Sequence, residues 1–130
     1  MILEPDLVLR ADFLEKKAYE KTAQLIKKNS NVTAIFCCND EMAFGVLRKL
    51  KELDIVCPKD ISVFGFDNDF KSAHTQPPLT TINVPVYDLA AECVRCLIDY
   101  LQAPKGKNRF LGHVSIPVQV IERQSVKNLK

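Results

Sequence analysis

Short apolar runs of strand length alternate along this chain with longer amphipathic stretches. Leu7-Val8-Leu9 is a brief strand candidate. From Leu14 to Lys28 the apolar or small residues fall at 14, 18, 22, 25 and 26 with charged residues between them, a spacing that predicts a helix with one core-facing stripe. Asn29-Ser30-Asn31 ends that stretch, as turn-forming polar residues do. Thr33 to Cys38 is a continuous apolar run, and Asn39-Asp40 closes it. Continuous hydrophobicity, rather than alternation, predicts a strand covered on both faces, the habit of a parallel sheet. Met42, Ala43, Val46, Leu47 and Leu50 then form the apolar face of a second helix, which Asp54 and Pro58 break.

The unit repeats. Ile61 to Phe66 is the next buried strand, closed by Asp67-Asn68-Asp69, and a loop with Pro77-Pro78 leads into an extended run from Leu79 to Val84. Pro85 opens a helix with an apolar face of Val86, Leu89, Ala90, Cys93, Leu97 and Leu101. Lys105-Gly106-Lys107-Asn108 is a turn. Val114 to Ile116 and Val118 to Ile121 are the last strand candidates, and Pro117 between them predicts that they lie at a sheet edge or cross between layers. Strands alternating with helices of this length predict an α/β fold: three layers, a parallel sheet with helices on both faces.

Length and charge narrow the function. With 130 residues the chain is one ordinary domain, and 47% hydrophobic with 26% charged residues is the balance of a globular protein. A net charge of +2, spread over helix faces, is no nucleic-acid footprint. No apolar run approaches a membrane span, and the N-terminus lacks the basic and apolar regions of a secretory signal. Strand-like residues begin almost at once, as expected of a segment of a longer chain. Five cysteines, two of them adjacent, make a poor disulfide framework and point to a reducing cytoplasm. Cys93 and Cys96 have metal-pair spacing, but they sit in an apolar helical stretch, where small core-facing residues are the plainer reading.

In an open parallel sheet, ligands bind beyond the carboxyl ends of the strands, so Asn39-Asp40 and Asp67-Asn68-Asp69 are the first places to look. A carboxylate there can accept from sugar hydroxyls or ring N–H groups, and an Asn offers both a donor and an acceptor. The same residue types cap helices. Capping is the favoured reading for Asp40 and Asp69, while for Asp67 both stay open. The four glycines make no dinucleotide or phosphate loop, no nucleophile elbow or zinc-protease motif is present, and His74 and His113 read as surface histidines. No enzyme, metal or cofactor is expected. Lys16, Lys17, Lys21, Lys27, Lys28, Lys49 and Lys51 read as a solvated surface.

Thr33 to Leu50, Pro58 to Asn68 and Pro78 to Ile82, with Asp12-Phe13 before them and Ile121 to Ser125 after, resemble in order and spacing the effector-binding domain of LacI/GalR-type transcriptional regulators. The resemblance implies that residues 1–130 are the C-terminal lobe of a periplasmic-binding-protein-like type I domain, whose N-terminal lobe and helix-turn-helix lie outside it. By itself the chain is then expected not to bind an operator. The resemblance also implies a small-molecule effector, a sugar or a purine-like metabolite, held between lobes by Asn39, Asp67 and Val86. It implies a homodimer too, formed partly through the helix from Met42 to Leu50 and the loop from Phe70 to Thr75. Ala18 and Asp54 depart from the family pattern, standing where glycines are usual. The rivals are an extracytoplasmic sugar-binding component of a transport system and a flavodoxin-like or response-regulator-like domain.

Overall fold

The computed structural model describes residues 4–29, 31–103 and 114–128. Ser30, the expected turn at Lys105 to Asn108 and His113 lie outside the described residues. The chain divides into two compact units, residues 1–83 with 120–130, and residues 84–119.

The first unit opens with a 3-10 turn at Pro5–Leu7 and not with the expected strand. Pro5 holds φ near the helical value at the first position of that turn, and Val8 and Leu9 follow without strand pairing. Helix α1 is Glu15–Lys28, strand β1 Ala34–Phe36, helix α2 Asp40–Glu52 and strand β2 Ser62–Phe64. A 3-10 turn at Phe70–Ala73 leads to strand β3, Thr81–Asn83, and strand β4 is Gln119–Ile121. The strands fall where the apolar runs predict them but are shorter. No strand forms over the expected run from Val114 to Ile116.

Strands β1 and β2 are parallel, with Ala34 opposite Ser62, Ile35 opposite Val63 and Phe36 opposite Phe64. The Phe36 and Phe64 rings stack with centroids 5.8 Å apart. Parallel bridges from Phe64 to Thr80 and from Asp67 to Asn83 carry the order on to β3, which pairs with β4. The C-terminal segment is sewn into the same layer. Buried Ser125 donates from Oγ to the Val63 carbonyl (2.6 Å), accepts from the Thr80 amide (2.8 Å), and receives the Val63 amide on its own carbonyl (2.8 Å).

Ala43, Val46, Leu47 and Leu50 of α2 form the core with Val63, Ile61, Leu79, Cys37, Ala11 and Ala18. The crossing of α1 and α2 depends on Gly45, where a Cβ would overlap the Glu15 carbonyl and lie 3.0 Å from the Tyr19 amide nitrogen. Ala18 is therefore accommodated, because the close approach is supplied from α2. Asp54, the other departure from glycine, ends α2 with φ of 56°, a left-handed conformation that Asp adopts more readily than most residues. Lys49 is a correction to the solvated-surface reading. It is buried over the Tyr19 ring, 3.9 Å from its centroid, with its ammonium 2.7 Å from Glu52, because its apolar stem packs while its charge finds a partner.

Helix α3, Val86–Gln102, makes up most of the second unit. Leu89, Cys93 and Leu97 on its apolar stripe line an open groove with Val114 and Ile116.

Candidate functional site

Because β1 and β2 are parallel, both deliver their following residues to one edge of the sheet. After β1 the chain turns into α2 at Asn39. Its extended backbone makes it the cap, and its Oδ1 accepts the Met42 amide at 2.9 Å. Its Nδ2 donates to the Phe13 carbonyl (3.3 Å) in the turn before α1. Asn39 is thus a capping residue with one amide hydrogen and one lone pair still to offer.

Asp40 does not cap, contrary to the favoured reading. The helix begins one residue earlier than that reading assumed, so Asp40 is its first member and turns inward, 1% exposed. Its Oδ2 accepts the Asp69 amide (2.8 Å) and the Ser72 hydroxyl (2.5 Å), and its Oδ1 accepts the Thr81 hydroxyl (2.6 Å). Gly65 makes room for it, since a Cβ there would overlap Asp40 Oδ1 and lie 2.9 Å from Leu79 Cδ2. One buried carboxylate so joins the loop after β1 to the loop after β2. Asp69 takes the capping role expected of it, accepting the Lys71 amide at 2.8 Å.

Asp67 and Asn68 both have positive φ, 111° and 57°. The Asp67 amide donates to the Ile82 carbonyl (2.9 Å), but among the described residues nothing donates to its carboxylate. Partial burial pushes that carboxyl above the usual aspartate range, and the Asp40 and Asp69 charges push it the same way. An aspartate in a strained backbone, short of donors and beside two like charges, is poised for donors brought from outside.

The structure brings the loops of Asn39 and Asp67 together through Asp40. Val86 opens α3 in the second unit, 62% exposed, and the edge geometry here concerns the first unit alone. Sequence reasoning missed Phe13 as a member of the edge. With φ of 59° it stands next to left-handed Asp12, its carbonyl holds Asn39, and its ring is 65% exposed. A bulky residue at positive φ leaves no mark in a hydrophobic pattern. His74 is an exposed residue closing the turn after Phe70. All five cysteines are free; burial drives Cys37 up to about 12 and Cys57 up to about 11, so both thiols stay protonated. Among the described residues no group of three or more His, Cys, Asp or Glu could hold a metal ion. No helix of the described residues is long and apolar enough to cross a membrane.

Fold and edge together define an α/β lobe of the periplasmic-binding-protein kind. The sequence profile of the periplasmic binding protein-like domain matches residues 4–126, and the chain belongs to that family. Within it, the relatives are regulators of the LacI type. The chain is 33% identical over 129 residues to the HTH-type transcriptional repressor PurR of Histophilus somni, covering 99% of this chain and 38% of that protein. A LacI family transcriptional regulator from Enterococcus faecium, solved with bound ribose, superimposes with a TM-score of 0.76 at 34% identity, over 94% of this chain and 44% of the other. The Lac repressor dimer, solved bound to operator and an anti-inducer, superimposes with a TM-score of 0.78 at 30% identity, over 89% of this chain and 39% of the other. The chain therefore spans about two fifths of the length of the curated relatives it matches.

Proposed function

We propose that residues 1–130 are the C-terminal part of the effector-binding domain of a LacI-type transcriptional regulator, with a sensing and dimerising role and no catalytic one. The observation that carries this reading is the Asp67 carboxylate, without a donor among the described residues at the carboxyl end of a parallel strand and joined through Asp40 to the loop of Asn39. A polyol or a purine-like ring supplies the hydroxyl or N–H donors that Asp67 lacks, the spare amide hydrogen and lone pair of Asn39 fix a second polar group, and the exposed Phe13 ring offers a stacking face. The ribose bound to the Enterococcus faecium regulator favours a sugar or a sugar-containing metabolite.

Binding energy realised in only one arrangement of two lobes shifts their equilibrium, and through it the spacing of DNA-binding heads carried elsewhere in the whole protein. A homodimer fits the same reading. Phe70 is 75% exposed, and beside it Lys71 lies 6.0 Å from the Phe44 ring centroid and 4.0 Å from Glu41, an apolar patch rimmed by charge on the two segments named for that interface. Regulators of this kind work in the cytoplasm, and the relatives favour that over a transport component.

Calorimetry of the whole regulator that carries these residues, against D-ribose, other pentoses and hexoses, and purine bases, tests the reading. It predicts saturable binding of one class, weakened tenfold or more by Asp67→Ala with the fold intact, because ligand donors are left unpaired. Equal affinity in the variant removes Asp67 from the site.

A further inference from the structure

Arg123 stands well away in sequence from every residue assigned to the edge, on the segment that follows β4. Its Nη1 donates to the Leu79 carbonyl (2.7 Å) and its Nη2 to Asn68 Oδ1 (2.7 Å), so the guanidinium fork joins the segment leading into β3 to the turn after β2. Its own amide donates to Thr80 Oγ1 (2.9 Å), and the next amide, of Gln124, donates to the Pro78 carbonyl (3.0 Å), which fixes the fork at its root. Asn68 is held on its other atoms as well, with Nδ2 donating to Asn83 Oδ1 (3.0 Å) and its amide to Thr81 Oγ1 (3.3 Å).

We propose that Arg123 is a positioning residue for the effector contact: by gripping Asn68 it holds the left-handed Asp67–Asn68 turn and so aims the Asp67 carboxylate away from protein donors. The physical need is plain. Two consecutive non-glycine residues at positive φ are strained and persist only where the surroundings over-determine them. Asp40 fixes the residue after the turn, through the Asp69 amide. Arg123 fixes the turn itself. Lys cannot replace it, because a point charge cannot serve two acceptors in a fixed fork.

The inference rests on reading Asp67 as an effector contact, and its test uses no effector, so either can fail alone. The charged groups that act on the Asp67 carboxyl are Asp40 from α2 and Asp69 from its own loop, while the Arg123 guanidinium is engaged by Leu79 and Asn68. Loss of the Arg123 charge alone would not lower the Asp67 carboxyl, since removing a cation never stabilises a carboxylate. Loss of positioning would let it swing into water, away from Asp40 and Asp69, and lower it. Carbon-detected NMR of the chain reads that titration, and the one-bond Cα–Hα coupling reads the sign of φ. In Arg123→Lys and Arg123→Ala, the Asp67 carboxyl is expected to move down toward the ordinary aspartate value, and the positive-φ signature of Asp67 to be lost. Asn68→Gly, which keeps the backbone freedom but removes the acceptor, is expected to lower the same titration with Arg123 in place. A titration that stays put or rises in these folded variants overturns the proposal, as does a fall in thermal stability with both signatures intact.

Discussion

At the residue scale, the chemistry of this edge comes from two aspartates with opposite fates. Asp40 is buried and fully satisfied by three donors, while Asp67 is raised and short of them. Asp40→Ala strands those donors, so the chain should lose about 3 kcal/mol or more of stability in urea denaturation. Asp67→Asn should do the reverse. With its folded-state pKa above its unfolded one, Asp67 makes the folded chain bind a proton more tightly, so its ionisation costs stability as pH rises through the folded value. The Asn variant escapes that cost. It should therefore be the more stable protein at about pH 7, with the gain fading as pH falls toward about 3, below the ordinary aspartate value. A gain that grows on acidification contradicts the assignment. Residue identities at the strand ends were legible in the sequence because turn-forming polar residues interrupt apolar runs. Which of Asn39 and Asp40 caps was not, since it hangs on a one-residue difference in where the helix starts. The Arg123–Asn68 contact, 55 positions apart, has no local signature at all.

At the scale of elements, two glycines carry the packing that places this edge. Gly45 lets α2 meet α1 backbone to backbone, and Gly65 leaves the space that Asp40 fills. Gly65→Ala should cost about 2–4 kcal/mol, since neither the Asp40 carboxylate nor Leu79 can retreat from a close-packed core. Gly45→Ala gains helix propensity of about 1 kcal/mol, yet it should still destabilise, because its Cβ meets the Glu15 backbone. Thermal melts of the two variants check both signs. The period of apolar residues made all three helices and the core strands readable, because burial of a stripe or a run dictates them. The N-terminal strand was misread for a local reason: Pro5 sets a 3-10 turn where Leu7-Val8-Leu9 alone looks extended.

At the scale of the whole molecule, the parallel order of β1, β2 and β3 is what turns separate loops into one edge, and membership of the periplasmic binding protein-like family fits that order. The proposed homodimer surface is built on the 3-10 turn that follows the same loop, around exposed Phe70. Phe70→Asp should shift the chain toward monomer in sedimentation equilibrium, because a charge there faces desolvation at the centre of the patch. An unchanged mass distribution argues against that surface. The central claim is that the carboxyl ends of these strands receive a small polar ligand. Amide chemical-shift mapping of the isotope-labelled chain with millimolar D-ribose and purine bases tests it most directly. The account predicts that one ligand class perturbs Phe13, Asn39, Asp67 and Asn68 while the opposite end of α2, near Asp54 and Cys57, stays silent. Perturbations confined to that opposite end, or none at Asp67 with any bound ligand, would contradict it.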